Sequence, residues 1–428
     1  MWFRRFIYCT IFFCNLYYGQ GLLNGFGLGN FINNHRNPTP VQCLNYILPG
    51  FQNNVAISNP ATWHNLKFTN LSIGYGAIKS ISLVENEYSG LLSGYWIIPI
   101  GDKAAIGFSL SPYSNQNIFI NDTTNANMLI FGDTLIYNRQ YQRSGGITLF
   151  ELGSGFSINQ MIDIGFKMHL LFGSSRQNES LLLNGNSPWM TGQVIQTSRM
   201  KYSGSFIEGF LSIAPQNNTR FMTAIKFPIK DLGGLHKRYF LFYDSNDNGY
   251  HDSFEYDFPS LSEVSSYNEI RLNGIHSPMQ ITIGIAQNFS RTMKISLELM
   301  SYKENGIIPK EIRLPINDYI QSQKLISIGL FKFPDDLSSN LIDNFTFRSG
   351  INYNSSALKL SDNSINEIGF SWGIGYKFAA VGNRIDINYY VGFREYVQSF
   401  DSEIIHQIQF GLTLADIWFV KRRQKRNG

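Results

Sequence analysis

The residues best arranged to do chemistry lie in one acidic stretch, Asp244-Ser-Asn-Asp-Asn-Gly-Tyr-His-Asp-Ser-Phe-Glu255. It satisfies D-x-[DN]-x-[DN]-G-x5-E, a pattern whose spacing aims several oxygen ligands at one hard cation. Asp244, Asn246 and Asn248 would supply side-chain oxygens, and Tyr250 its carbonyl. Asp252 would bind directly or through water, Glu255 would be bidentate, and Gly249 would allow the sharp turn. The expected ion is Ca2+, in a structural role. Flanking helices are not evident, because 238–243 and 254–258 read as extended or aromatic segments. An Asn/Asp-rich turn without metal is the plain alternative in so asparagine-rich a chain. No catalytic arrangement accompanies the motif. Gly369-Phe370-Ser371-Trp372-Gly373 matches Gly-x-Ser-x-Gly only as part of an alternating strand run, His-Glu-x-x-His is missing, and His169 and His406 fall in strand-like runs with no serine and acid placed beside them. A non-enzyme is expected.

The elements that would carry such a loop are strands. From Ser364 to Phe419 apolar residues occupy every second position: Ile368, Phe370, Trp372, Ile374 and Tyr376, then Ile385, Ile387, Tyr389, Val391 and Phe393, then Ile408, Phe410, Leu412 and Leu414. A period of two places successive side chains on opposite faces of a strand. Long strands with one apolar and one polar face, repeated many times, are the mark of a transmembrane β-barrel.

Fourteen such strands can be laid down, near 66–83, 87–100, 103–112, 144–157, 162–174, 198–213, 219–229, 277–288, 292–303, 323–333, 343–353, 364–379, 384–396 and 404–419. Every second connection is tight, and the others, notably 113–143, 175–197, 230–276 and 304–322, are long. Short turns belong on the periplasmic rim and long loops outside. The expected fold is therefore all-β, a 14-stranded antiparallel transmembrane β-barrel of the outer membrane, spanning 65–420 and followed by a basic periplasmic tail, 421–428.

A charge at mid-bilayer on the lipid face costs about 2–4 kcal/mol, so the charges within strands must face the lumen. Lys294, Glu298, Lys377, Arg384, Asp386 and Arg394 are expected there. A lumen holding them is wet or filled by polar protein. The filler nearest to hand is 20–64, which does not alternate and contains Gly25-Phe-Gly-Leu-Gly29 and Ser58-Asn-Pro-Ala61.

Composition fits this reading. Charged residues make up only 15% of the 428, and no apolar run reaches the roughly 18 residues a spanning helix needs. A net charge of +4 is too small to argue for nucleic acid. Residues 1–19, with Arg4 and Arg5 ahead of an apolar run, read as a signal peptide. Its removal would leave Cys43 as the lone cysteine, unable to form an internal disulfide.

Three stretches resemble the long-chain fatty acid transporter family of bacterial outer membranes (FadL-type). They are the glycine-rich start followed by Asn59-Pro60-Ala61, similar to that family's hatch; Ile106-Gly-Phe-Ser-Leu-Ser-Pro-Tyr-Ser114 with Ser144-Gly-Gly146 and Leu171-Phe-Gly-Ser174; and the ending Gly411-Leu-Thr-Leu-Ala-Asp-Ile-Trp-Phe419. The resemblance implies a barrel in the outer membrane of a Gram-negative bacterium, plugged by an N-terminal hatch. Such a barrel passes apolar small molecules such as long-chain fatty acids or hydrocarbons. Its expected partners are outer-membrane lipid and an apolar ligand. A fold of this kind also serves as a secretion accessory, so docking of a secreted or periplasmic protein is the alternative. If the acidic motif holds Ca2+, chelation should raise the protease sensitivity of 230–276, and unchanged cleavage would exclude the metal.

Overall fold

The structure is a computed structural model and describes residues 22–31, 44–81, 86–130, 133–184, 192–216, 218–244, 268–313, 316–335, 340–378, 382–396 and 400–416. Its strands are β1 (Asn30–Phe31), β2 (Thr69–Ile81), β3 (Asn86–Ile100), β4 (Ala104–Asn115), β5 (Ile118–Ile130), β6 (Asp133–Ser157), β7 (Ile162–Asn184), β8 (Gly192–Gln216), β9 (Thr219–Asp244), β10 (Asn268–His276), β11 (Pro278–Asn288), β12 (Met293–Glu304), β13 (Ile320–Lys332), β14 (Phe345–Leu358), β15 (Ser364–Lys377), β16 (Arg384–Tyr396) and β17 (Phe400–Asp416).

Two of these pairs are halves of single barrel strands. β4 and β5 both pair with β6, on 146–156 and 133–143, and are separated at Gln116–Asn117. β10 and β11 both pair with β9 and are separated at Ser277. β1 belongs to the N-terminal segment and adds itself to the end of β4, Asn30 opposite Asn115 and Phe31 opposite Ser114. β17 pairs with β2 from Ile404–Ile81 to Asp416–Thr69 and closes the ring. The result is a closed barrel of fourteen antiparallel strands.

Alternation decides which way each face points. In β12, Met293, Leu297 and Leu299 are exposed, while Lys294, Ser296 and Glu298 are buried. Ile73, Phe166, Ile225, Ile283, Ile328, Phe370 and Phe410 repeat this outward apolar band around the ring. The molecule is inside-out, as a bilayer solvent requires.

The sequence understates the height of one wall. Loops are the expectation over 113–143, 175–197 and 230–276, yet β6, β7, β8 and β9 run for 25, 23, 25 and 26 residues. A spanning strand needs about 9–11. Pairing continues far above the apolar band, with Glu179 opposite Gln196 and Ser198 opposite Arg238. Apolar alternation records contact with lipid, not hydrogen bonding, so it stops at the membrane border while the sheet goes on.

Candidate functional site

The barrel interior holds two N-terminal pieces. The lower one, 44–66, turns on Ser58-Asn-Pro-Ala61. Asn59 begins a short 3-10 helix, Pro60–Asn65: its side chain accepts from the Ala61 amide at 3.0 Å and donates to the Ile47 carbonyl at 3.0 Å. Asn at the cap and Pro at the first position favour such a start, one supplying an acceptor and the other lacking the orphan N–H. Trp63, 1% exposed, donates to the Ile57 carbonyl at 3.0 Å. The turn rests on side-chain-free backbone. A Cβ on Gly155 of β6 would strike the Pro60 carbonyl, and one on Gly165 of β7 would strike the Ala61 amide.

Charges projecting from the barrel hold this piece by its backbone. Glu298 accepts from the amides of Tyr46 at 3.0 Å, Ile47 at 3.0 Å and Leu48 at 3.3 Å. Lys294 donates to the Asn53 carbonyl. Arg348 donates to the Gly50 carbonyl at 3.2 Å and to Asp386 at 2.8 Å. Arg384 joins Asp386, at 2.8 Å, to the Phe51 carbonyl, with its guanidinium 4.5 Å from the Phe51 ring centroid. Tyr46 donates to Glu208 at 2.8 Å, and burial, then that carboxylate, raise its phenol well above the ordinary pKa, so it remains a donor. Burial instead lowers the His64 imidazole, against the opposing pull of Asp163 at 3.4 Å.

The upper piece, 22–31, is held differently. Arg143 donates to the carbonyls of Asn24 at 2.5 Å, Gly27 at 2.8 Å, Ile312 at 3.1 Å and Gln116 at 3.3 Å. Gly29 has φ +83°, and a Cβ there would meet the Asn115 carbonyl, so the glycine-rich motif lets this backbone reach β4. Leu28 sits in an apolar cluster with Tyr113, Leu149, Leu171, Phe206, Leu232 and Tyr319, among others. Phe31 packs edge-on against Tyr113 and stacks on His276, with centroids 5.3 and 5.1 Å apart. Phe26 stacks on Tyr396, which belongs with Glu403 and Glu367 to the ion cluster around Arg394.

Of the six charges expected inside, the structure gathers Lys294, Glu298, Arg384 and Asp386 around the lower piece and puts Arg394 with the upper one. Lys377 stands opposite Arg384, half-buried near the short-turn rim. Asn246, Asn248, Tyr250, Asp252 and Glu255 lie outside the described residues, and of Asp244 only the backbone, ending β9, is described. Sequence reasoning passed over Arg143, Arg348 and a buried network in which Glu151 meets Lys167 at 3.3 Å and His169 at 3.1 Å, while His169 reaches Glu208 at 3.1 Å. The alternation that exposed Lys294 and Glu298 was available for Arg348, Glu151, Lys167 and His169 also, but not for Arg143.

A family model described as BamG matches residues 47–425. The chain belongs to the BamG family. No curated protein matches the sequence. Among solved structures, a CymD monoaromatic hydrocarbon channel superposes with TM-score 0.53 at 12% identity, covering 92% of this chain and 99% of that one. The P. putida toluene transporter TodX gives 0.53 at 15%, covering 87% and 97%, and a Pseudomonas aeruginosa FadL homologue 0.53 at 12%, covering 91% and 98%. The barrel of this BamG-family chain is thus the FadL-type fold, and its place is the outer membrane of a Gram-negative bacterium. Glu298→Ala strands three buried amides, each worth about 1–3 kcal/mol when unsatisfied. Hydrogen exchange at 46–48 should accelerate at least about tenfold by mass spectrometry, and unchanged protection would mean that Glu298 does not hold the segment.

Proposed function

We propose that the protein is an outer-membrane channel for apolar small molecules, hydrocarbons or long-chain fatty acids, gated by its N-terminal plug. The observation that carries this reading is the division of the interior. The half under the long extracellular strands holds a large apolar cluster beside the Arg394 ion cluster, and Leu28 and Phe31 of the chain's own N-terminal piece sit in and against that apolar cluster. The half below is crossed by buried ion pairs. An apolar ligand filling the upper chamber would replace contacts of the same kind, each buried Leu or Phe being worth about 1.5–3 kcal/mol.

Magnitudes identify the part that moves. Leaving the lower piece unmoored would break many charge-assisted hydrogen bonds, each about 1.5–3 kcal/mol. The upper piece depends chiefly on apolar packing and the Arg143 clamp, so 22–31 is the gate and 44–66 the fixed base. Asn30 and Phe31 pair with Asn115 and Ser114 beside the interruption between β4 and β5, so their withdrawal would free that edge of β4.

A second reading, a secretion-accessory or partner-docking barrel, is favoured by the β6–β9 wall standing above the membrane. One experiment separates the two. Arg143→Ala releases the gate, and should raise uptake of toluene and of a long-chain fatty acid into proteoliposomes by about tenfold, the factor matching one lost charge-assisted hydrogen bond. Uptake of both probes at the wild-type rate, together with a protein that co-purifies only while the β7–β8 hairpin is intact, would replace the channel by the docking reading.

A further inference from the structure

The outer surface of the tall wall changes character at one height. Low on the wall, outward positions are apolar: Met168 on β7, Ile207 on β8, and Phe227 and Ile229 on β9. Above them, past Ser205, Ser203 and Phe172, cations appear among the outward residues. Lys201 of β8, Leu235 of β9 and Arg271 of β10 lie in register, and the row above them begins with Arg176 of β7 and Arg199 of β8. Lys237 and Glu269 end that upper row as an ion pair. Among the described residues, the lower row has no such neutralising partner in register.

β9 is also irregular here. Its pairing with β8 shifts between Ser203 and Ser205 and again before Phe206, and its register with β10 and β11 jumps between Leu232 and Lys226. Leu232 turns fully inward, and Gly233 and Gly234 follow without side chains. The wall is therefore hollowed from outside. The hollow has a volume of about 550 Å³ and is bordered by Lys201, Lys230, Arg271 and one carboxylate, Asp231.

We infer that this hollow binds the phosphorylated headgroup of an anionic outer-leaflet lipid, whose acyl chains lie on the apolar face directly below. Charge complementarity selects an anion, and each Lys or Arg at such a surface attracts it. The apolar rows beneath decide between anions. An acyl lipid alone satisfies both levels at once, whereas free phosphate or an acidic protein would use the upper level only. The lipid site lies on the outside of the barrel, independent of the plug and of whatever the lumen carries, so it stands or falls apart from the channel reading.

The test uses the full chain in phosphatidylcholine nanodiscs doped with phosphatidic acid, with retained lipid read by native mass spectrometry. Wild-type protein should retain phosphatidic acid over phosphatidylcholine. Lys201→Gln, Lys230→Gln and Arg271→Gln together should reduce that preference on the order of a hundredfold, about fivefold per cation. Lys201→Arg with Lys230→Arg should preserve it. Retention by the wild type should also fall as salt rises, because the cations face solvent, and this arm needs no variant to fold. Equal retention by the neutralised variant, no salt dependence, or complete displacement of the lipid by inorganic phosphate would each overturn the lipid site.

Discussion

The structure depends on one constraint: a charge on a membrane strand must face inwards, and once inside it must find a partner. Coulomb attraction between neighbouring side chains meets part of that need, as in Arg348–Asp386–Arg384. The remainder is met by the backbone of the N-terminal segment. Its amides surround Glu298, and its carbonyls receive Lys294, Arg348 and Arg384. Removing one member of such a buried set costs more than forming it gains, because the survivor is left without water. Barrel and plug thus satisfy each other.

That mutual dependence explains why the turn at 58–61 is so closely fitted. A segment whose side chains pack in apolar clusters and whose backbone is held by charges from the barrel wall can only sit at one depth. The glycines at 155 and 165 let its backbone approach the wall, while the Asn59 cap and Pro60 fix its local shape. The upper piece shows the contrasting design. Arg143 gathers four carbonyls there, but the side chains around Leu28 are apolar and indifferent to which apolar group fills the space. Rigid base and exchangeable tip follow from the chemistry of the two halves of one lumen.

Much of the barrel was legible because lipid imposes a period of two. The run from Ile368 to Leu414 displays three strands with their faces assigned, and Lys294 and Glu298 stand two periods of that alternation apart among Met293, Ile295, Leu297 and Leu299. The same rule fails above the membrane. Neither face of 176–182 or 193–200 shows that apolar alternation, so the paired strands there look like loops. Arg143 sits in such a stretch, Asn138-Arg-Gln-Tyr-Gln-Arg143, with no aliphatic neighbours to mark its direction. The partners of the luminal charges were illegible for another reason: they are mostly backbone atoms, which every residue carries.

The proposed gate requires 22–31 to withdraw when an apolar molecule passes. The direct measurement is toluene uptake into proteoliposomes by a Phe31→Cys/Ser114→Cys protein in a Cys43→Ser background, since residues 31 and 114 face each other across β1 and β4. Oxidation should tie the tip to the wall and stop uptake, and reduction should restore it. Equal uptake by the tied and released forms would contradict the gate.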